Sequence, residues 1–374
     1  MANVLSIVWY KVLPARFGGQ KGIAGFSHYL GLHHSVFMLC SGNNEPTGVE
    51  SFKVLNKLPS SKWQFTDPKV ASLMSLAADE NKISHLLLEH CYHGWHGVRL
   101  AKKKKLKLIA HSHNIEYARF REMGKWWWPF LFLLERWTHQ SAHLSLFKTR
   151  EDLGYAIQHF GLEEERCMVV PFGLERTGIP APAEKMKCRL ALEEKHAITA
   201  GTKIILFNGT LDYEPNAQAL EQIVKQIIPA LERITEQPFR VLVTGRIEYP
   251  DYNYLKDLNH PCYTYAGSVD DVDTYFTGAD LFINPLTKGG GVKVKLVEAL
   301  SFGLPVVSYD TGAKGIDTTV TGETLSLVND GDVETFAAAM VAQWNQHGIV
   351  SQSFFNKYSW RSITAEVATR IDQL

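Results

Sequence analysis

The chain has 374 residues, more than one hydrophobic core usually serves, so two domains are expected. Its composition, 45% hydrophobic and 21% charged, is that of an ordinary soluble globular protein. The 39 basic and 39 acidic residues cancel, which argues against a dedicated nucleic-acid-binding protein.

The N-terminal segment predicts a strand over Val4–Tyr10 and no secretory signal, because no basic leader precedes an apolar core. No uninterrupted apolar run reaches about 18 residues, so no membrane-spanning helix is expected. The five cysteines are widely spaced and include no Cys-x-x-Cys pair, which indicates reduced thiols and argues against a zinc site. These features together predict a cytoplasmic protein.

The first half of the chain alternates strand and helix patterns. The glycines Gly18 and Gly19 follow the first strand and precede a helix that is expected to end near Leu30. The alternation predicts an α/β domain with a parallel sheet and helices on both faces, in which ligands bind beyond the carboxyl ends of the strands. Further strands are predicted at Val36–Cys40, His85–Glu89, Leu106–Ala110 and Leu144–Phe147.

Polar residues stand at two of these carboxyl ends. Glu89 and His90 end one strand, and His111, His113 and Glu116 follow the next. A histidine at such a place is often only a half-buried ring, so position alone does not assign it a role.

Two features suggest a membrane surface. Lys102–Lys105 with Lys107 is a basic run, and Trp126–Trp128 opens a very apolar stretch. Lysine clusters and tryptophan suit the interface of an anionic leaflet. The lysines equally fit a solvated turn, and the tryptophans equally fit a core helix. A peripheral contact at the inner membrane face is therefore one of two open interpretations.

The second half begins a new series of strands at Lys203–Asn208, after a proline-containing stretch over 174–200. The loop Gly209–Asn216 follows, and a strand over Val241–Gly245 comes next. Asp271 and Asp273 form an Asp-x-Asp pair at a predicted helix start, where acidic residues are favoured in any case, so no metal role is assigned to them.

The most informative stretch runs from Asn284 to Ile316. A short strand leads into Gly289, Gly290 and Gly291, and a helix is predicted over Val292–Leu300. Glycine lets the backbone approach a ligand closely, and a helix N-terminus offers free N–H groups to an anion. Lys293 in the first turn is unfavourable for the helix itself unless an anion binds there. This pattern predicts a nucleotide or sugar-phosphate site, although short glycine motifs also recur by chance.

The same stretch resembles the signature Gly-x-Gly-Ile/Val-Lys-x-Lys-x-x-Glu-Ala-Leu of one subgroup of glycosyltransferase family 4, with Gly289–Lys295 and Glu298–Leu300 as the matching residues. The resemblance implies the GT-B fold, with two Rossmann-like domains facing each other across a cleft. It implies an acceptor domain over 1–173, joined by a C-terminal helix over 355–374, and a donor domain over 174–354.

The resemblance also implies residue roles. His113 contacts the transferred sugar, with His111 the weaker candidate, and Glu298 binds the ribose. The diphosphate of the donor is expected at a larger set of residues: Gly18, Gly19, Gly290, Gly291, Val292, Lys293 and Lys295. Further donor contacts are expected at Gly209, Thr210, Arg246 and Val269.

Two departures from the family pattern concern the donor site. Many relatives carry an Arg and a Lys in the loop that corresponds to Gly209–Asn216, and neither is present here. Many relatives also carry a glutamate eight residues before the one at Glu298, where this chain has Gly290. Main-chain N–H groups are expected to serve the sugar instead, and Lys293, Lys295 and Arg246 to serve the phosphates.

The resemblance thus predicts a retaining, metal-independent glycosyltransferase that needs no cofactor and no protein nucleophile. Its substrates are expected to be a nucleotide-sugar donor and a glycan or lipid-linked acceptor. A sugar-nucleotide epimerase or a phosphorylase of similar fold is a rival enzyme, which the glycine-lysine signature disfavours. The two departures leave open a catalytically degenerate GT-B protein that binds a nucleotide or a partner without transfer.

Overall fold

The structure is a computed structural model that describes residues 1–15, 18–289, 293–346, 348 and 350–374. The chain divides into two compact units. Unit 1 comprises Met1–Glu175 with Tyr358–Leu374, and unit 2 comprises Arg176–Lys357.

Unit 1 contains a seven-stranded parallel sheet in the order β3-β2-β1-β4-β5-β6-β7. Its strands are β1 (Asn3–Ile7), β2 (Ser35–Ser41), β3 (Phe52–Leu58), β4 (His85–Glu89), β5 (Lys107–Ser112), β6 (Leu144–Phe147) and β7 (Cys167–Val169). The helices before the linker are α1 (Gly18–Leu30), α2 (Pro68–Glu80), α3 (Gly94–Lys104), α4 (Glu116–Glu122), α5 (Trp128–Ser141) and α6 (Arg150–Phe160).

Unit 2 contains a six-stranded parallel sheet in the order β10-β9-β8-β11-β12-β13. Its strands are β8 (Lys203–Asn208), β9 (Phe239–Thr244), β10 (Tyr263–Gly267), β11 (Leu281–Asn284), β12 (Val306–Tyr309) and β13 (Leu325–Val328). The remaining helices are α7 (Pro182–Lys195), α8 (Glu214–Gln222), α9 (Ile228–Ile234), α10 (Val272–Gly278), α11 (Val294–Ser301), α12 (Val333–Gln343), α13 (Gln352–Tyr358) and the C-terminal α14 (Trp360–Asp372), which returns to unit 1.

Both sheets follow the doubly wound Rossmann-like order, in which the chain reverses direction beside the first strand of each unit. The strands are almost continuous apolar runs, because helices cover both faces of a parallel sheet. The predicted α/β class and the two Rossmann-like domains are confirmed.

Strand β3 is one of the strands that the sequence patterns do not predict. It lies at the edge of its sheet, and Lys53, Asn56 and Lys57 on it are exposed. Polar and lysine-rich edge strands avoid pairing with other chains, but they lack the apolar run by which buried strands are recognised.

Helix α14 packs on α1 through Trp360. The Trp360 ring lies against Gly25 and Gly173, where an added Cβ would approach it to 2.5 Å and 2.1 Å. Phe172 packs on the same ring at 5.7 Å between centroids. The C-terminal segment is therefore part of the core of unit 1.

Candidate functional site

The carboxyl edge of the sheet in unit 1 brings together a carboxylate and two imidazoles. Glu89 ends β4 and pairs in register with His111 on β5, and His113 lies two residues beyond. Glu89 Oε2 is 2.6 Å from Nε2 of His113 and 2.9 Å from Nδ1 of His111. Glu89 and His111 are buried, and His113 is nearly so. The polar residues that follow separate strands in the sequence thus form one cluster.

Burial determines the charges of this cluster. It lowers the pKa of His111 to about 4 and that of His113 well below the usual range. Burial by itself would raise the pKa of Glu89, but the neighbouring imidazoles, His111 foremost, hold it well below its ordinary value. Near neutral pH the cluster therefore contains one carboxylate and two uncharged imidazoles.

A second layer of polar groups supports the cluster. The His90 ring stacks on His113 with 4.4 Å between centroids, and its Nδ1 lies 3.3 Å from Glu116 Oε1. The Tyr92 hydroxyl donates to the other oxygen of Glu116 at 2.7 Å. Glu135 on α5 accepts the backbone N–H groups of Glu116 and Tyr117, both at 2.9 Å, and so caps α4. Tyr92 and Glu135 have no local sequence signal for these roles, because tertiary packing creates both contacts.

Glu89, His111 and His113 also form a set of possible metal ligands. Around a tetrahedral ion with bonds of 2.0–2.2 Å, two ligand atoms lie about 3.4 Å apart. The distances of 2.6 Å and 2.9 Å are both shorter, and the 2.6 Å contact between His113 and Glu89 is a hydrogen bond. A metal-independent site stays a prediction.

A second set of possible metal ligands lies in unit 2 and comprises Glu232, His260 and Cys262. Here Cys262 Sγ donates to Glu232 Oε1 at 3.5 Å, just before the amino end of β10. This set therefore lies at the opposite edge of the sheet from the carboxyl ends of the strands.

In unit 2 the carboxyl ends of β8, β9 and β10 are tied to one another. Gly209 N donates to Thr244 O at 3.0 Å, and Gly245 N donates to Gly267 O at 2.9 Å. Gly245 has φ +151°, and an added Cβ would lie 1.9 Å from the carbonyl oxygen of Gly209. Only glycine allows this close approach, so the start of the Gly209–Asn216 loop is held against the neighbouring strand end.

The glycine-rich segment leads into α11. Gly290, Gly291 and Val292 lie outside the described residues. Helix α11 begins at Val294, two residues later than predicted, and the buried Lys293 occupies its N-cap position. Lys293 Nζ donates to the carbonyl oxygen of Gly289 at 2.8 Å. A cationic side chain is thus folded back over the start of the helix.

Lys295 connects this helix with the loop after β8. Its Nζ donates to Asn216 Oδ1 at 3.1 Å and lies 4.4 Å from the centre of the Phe207 ring. Asn216 Nδ2 in turn donates to the carbonyl oxygen of Thr210 at 2.8 Å. Burial and the charge of Lys293 lower the pKa of Lys295 well below its usual range. An anion bound beside the two lysines would relieve this repulsion. No sequence signal points to this contact of Asn216.

The other predicted donor contacts lie near these elements. Glu298 is half-buried on α11, one turn after Lys295, and Gly209, Thr210 and Val269 are half-buried at the strand ends of unit 2. Arg246 follows β9 and donates to Glu248 at 2.8 Å. Its guanidinium therefore already has a carboxylate partner.

Gly18 and Gly19 differ from the expectation. They were expected in a loop before a helix, but they are the first two residues of α1. A glycine pair is compatible with a helix start, where the first N–H groups have no intrahelical partner. The phosphate contact of both glycines stays a prediction.

The Asp-x-Asp pair is a helix cap, as expected. The Asp271 carboxylate accepts from Asp273 N at 3.1 Å, from Thr274 N at 3.3 Å and from Thr274 Oγ1 at 2.7 Å. These bonds begin α10 and account for the acidic side chain without a metal.

The two features of the suggested membrane surface lie at opposite ends of packed helices. Gly94 at the start of α3 lies against Thr138 in the second half of α5. Both helices lead into successive parallel strands, so they run in the same direction. The lysine run at the end of α3 therefore lies away from Trp126, which precedes α5. Trp126 is 81% exposed and Phe130 is 69% exposed. Within the described residues, no helix is long and apolar enough to cross a membrane.

Two family models match the chain. Residues 18–176 match the model described as Glycosyltransferase Family 4, and residues 202–346 match that of Glycosyl transferases group 1. No curated protein is significantly similar to the chain in sequence.

Solved structures of the same architecture are similar over the whole chain. A sucrose-phosphate synthase from Thermosynechococcus elongatus has a TM-score of 0.77 at 15% identity, covering 100% of this chain and 99% of its own. The Anabaena protein HepE, solved with UDP and glucose, has a TM-score of 0.73 at 14% identity, covering 100% of both chains. A glycosyltransferase from Rickettsia africae has a TM-score of 0.73 at 15% identity, covering 99% and 98%. At these identities the similarities establish the fold.

Proposed function

Since both halves match glycosyltransferase models and the fold is GT-B, the chain is a glycosyltransferase of the GT-B type, and we propose that it transfers a sugar from a nucleotide-sugar donor. The acceptor is a hydroxyl of a carbohydrate or of a lipid-linked glycan. Transfer proceeds with retention of the anomeric configuration and without a metal ion. The observation that carries the proposal is the cationic pair Lys293 and Lys295 at the start of α11, where the ammonium of Lys295 is bonded to a neutral amide.

The nucleotide binds to unit 2. The diphosphate meets Lys293 and Lys295 together with the backbone of 290–292, and Glu298 accepts the ribose hydroxyls. HepE is solved with UDP and with UDP-glucose, so UDP-sugars are the first donors to test. Gly209, Thr210 and Val269 are proposed as further donor contacts. Arg246 is less suited to that role because it already donates to Glu248.

The proposed reaction uses a phosphate of the donor and needs no protein nucleophile. The bond from the anomeric carbon to the diphosphate oxygen breaks, and the acceptor oxygen bonds to that carbon on the same face. The acceptor proton passes to the departing phosphate. The lysines and the N–H groups stabilise the charge that develops on the diphosphate. In unit 1, His113 accepts a hydrogen bond from a hydroxyl of the transferred sugar and so orients the sugar.

A panel of nucleotide sugars tests the proposal by thermal stabilisation of the full chain. A ligand at one hundred times its dissociation constant adds about 2.7 kcal/mol of stability. The donor that binds is then supplied with glycan acceptors in the presence of EDTA, and the anomeric configuration of the product is read by NMR. Inversion, or a requirement for added metal, would contradict the corresponding part of the proposal. Binding with neither transfer to any acceptor nor hydrolysis of the donor would favour the degenerate protein.

We also propose that unit 1 contacts an anionic membrane through the start of α5. Trp126 and Phe130 are exposed there, and the exposed cations Arg121 and Lys125 lie close by in the sequence. Aromatic side chains flanked by cations suit the interface of an anionic leaflet. The lysine run at the end of α3 is not required for this surface.

Vesicle co-sedimentation tests the contact. Wild type should sediment with anionic vesicles and little with neutral ones, and salt should release it. The double variant Trp126→Ser/Phe130→Ser should lose binding, whereas Trp63→Ser, which removes another exposed tryptophan of unit 1, should retain it. Replacement of Lys102–Lys105 by Gln should have the smaller effect. No sedimentation of wild type with anionic vesicles would refute the contact.

A further inference from the structure

Lys148 is a buried lysine of unit 1 that neither the family signature nor the proposed function uses. It directly follows β6, and its residue is 7% exposed. Among the described residues its Nζ has no hydrogen-bond partner. A buried ammonium without a partner is costly, so this position calls for a physical reason.

Strand register places Lys148 in the Glu89 cluster. Glu89 pairs with His111, His111 pairs with Leu146, and Ser112 pairs with Phe147. His113 and Lys148 are each one residue beyond that last pair, so they are neighbours at the same edge. Because side chains alternate along strands, Glu89, His111, His113 and Lys148 fall on one face of the sheet.

Oε1 of Glu89 and both ring nitrogens of His111 are likewise enclosed without a hydrogen-bond partner among the described residues. These groups comprise a cation that only donates, a carboxylate oxygen that only accepts, and an imidazole that can accept at one nitrogen. The positive charge of Lys148 lies where it balances the single carboxylate, and it opposes protonation of both imidazoles.

The Glu89 contacts also decide which ring nitrogens carry hydrogen. An ionised carboxylate only accepts hydrogen bonds, so His113 carries its proton on Nε2, which lies 2.6 Å from Glu89. The other nitrogen, Nδ1, then has a lone pair. It bonds to no described residue and is not one of the enclosed atoms, so a ligand can reach it.

We propose that Lys148 is a positioning residue, which keeps Glu89 ionised so that Glu89 holds His113 as the Nε2–H tautomer with Nδ1 as its free acceptor. The consequence for substrate choice rests on the proposed function. A His113 that can only accept at its free nitrogen selects sugars with a hydroxyl able to donate a hydrogen bond there. A methoxy group at the same sugar position cannot donate and is disfavoured.

Nitrogen-15 NMR of the ligand-free full chain tests the role of Lys148 without any transfer reaction. In wild type, long-range proton–nitrogen correlations should show His113 neutral and protonated on Nε2 between pH 5.5 and 7.5. In Lys148→Met, loss of the cation should move protonation of His111 or His113 upward by about one pH unit or more. Lys148→Arg should preserve the wild-type titration. Lys69→Met, the same change at an exposed lysine of unit 1, should have no effect.

A titration of Glu135→Gln, in which Lys148 is kept, decides the matter if Lys148→Met does not fold. Three titratable groups interact electrostatically with Lys148: Glu89, His111 and His113. Those that adjoin them are His90, Glu116, Tyr10, Glu135 and His139. Burial lowers the pKa of Lys148 to about 8 and raises that of Glu135 to about 8, so these two groups titrate together. In Glu135→Gln only Lys148 is left to move the His113 signals between pH 7 and 9.5. A midpoint near pH 8 in that variant is the expected result.

Any one of three results would overturn the proposal. They are identical imidazole titrations in wild type and Lys148→Met, a proton on Nδ1 of His113, or no transition near pH 8 in Glu135→Gln. Once a donor is known, Lys148→Met should lower kcat while leaving nucleotide affinity unchanged, and Lys148→Arg should restore part of the loss. The donor methylated at the hydroxyl that faces His113 should be used at least tenfold more slowly by wild type, and equal use would refute the selection. If wild type transfers no sugar at all, the proposed function fails, and the NMR result still decides the role of Lys148.

Discussion

The polar edges of the two sheets are built in different ways. In unit 2 the candidate residues Lys293, Lys295 and Glu298 lie within six positions of one another on a single loop and helix. In unit 1 Glu89, His113 and Lys148 come from three strands spread over sixty positions. A contiguous site depends on local geometry and is visible as a motif, whereas a dispersed site exists only when strand register assembles it.

The two edges also differ in charge. Unit 1 encloses a carboxylate with two neutral imidazoles and one ammonium. In unit 2, Lys295 is held by an amide oxygen and an aromatic ring. We expect the first arrangement to suit recognition of a sugar hydroxyl and the second to attract an anion. This contrast leads to four predictions.

The largest expected effect is a greater acid sensitivity of unit 1. Burial lowers the pKa of His93 to about 3, of His111 to about 4 and of His139 to about 3. The unfolded chain binds these protons below about pH 6.5 and the folded chain does not, so stability falls as pH drops through that range. Glu135, with its pKa raised to about 8, acts in the opposite direction, but three imidazoles outweigh one carboxyl. The net loss between pH 7 and 4.5 should reach a few kcal/mol.

Hydrogen exchange measured at pH 7 and 4.5 checks this, after correction for intrinsic rates. Protection should fall in the strands of unit 1 more than in those of unit 2, where the described histidines His196 and His260 are only partly buried. His139→Phe keeps an aromatic ring between Phe147 and Phe160. It should reduce the difference between the two units in the protection that they lose from pH 7 to 4.5. An equal loss of protection in both units would show that the buried imidazoles do not dominate the pH dependence of stability.

The next effect is catalytic and confined to unit 1. His113→Ala should lower kcat about a hundredfold, equivalent to about 2.7 kcal/mol, since it removes the group that orients the sugar. Affinity for the nucleoside diphosphate should stay unchanged because we propose that the nucleotide binds to unit 2. Steady-state kinetics and calorimetry separate the two quantities, with the exposed His33→Ala as control. Wild-type turnover with every accepted donor would make His113 a structural residue.

The reverse pattern is expected for Glu298. Glu298→Ala should weaken nucleotide affinity at least tenfold, because hydrogen bonds to a charged group contribute about 1.5–3 kcal/mol each. The fold should persist, as circular dichroism can verify. Glu323→Ala, an exposed acidic residue of the same unit, should bind like wild type in calorimetry. An unchanged affinity for Glu298→Ala would remove Glu298 from the ribose site.

The smallest effect concerns the Asp-x-Asp pair. Asp271→Ala should cost about 1 kcal/mol of stability in urea unfolding, through loss of the helix cap. Asp273→Ala should cost much less, because Asp273 is not the residue that accepts the cap hydrogen bonds. Neither variant should change donor binding, with or without EDTA. A similar loss of binding in both variants, reversed by added metal, would reinstate the pair as a metal site.

Much of the architecture was predictable because its signals are local. The apolar runs at His85–Glu89, Leu144–Phe147 and Lys203–Asn208 match strands to the residue, and the helix after the glycine segment begins within two residues of its expected start. The helix start at Asp271 depends on neighbouring N–H groups and was equally predictable. Edge strand β3 escaped because exposed polar residues conceal its pattern.

By itself, the sequence determined two α/β domains of the GT-B type, a glycine-lysine segment and its helix. The tertiary structure decided which distant groups meet: Glu89 with both imidazoles, Lys148 beside His113, and Lys295 on Asn216. It also separated the lysine run of α3 from the tryptophans before α5. The physical reason is that helix and strand periods are set within a few residues, whereas strand register, burial and the pKa values that burial shifts depend on residues far apart in the chain.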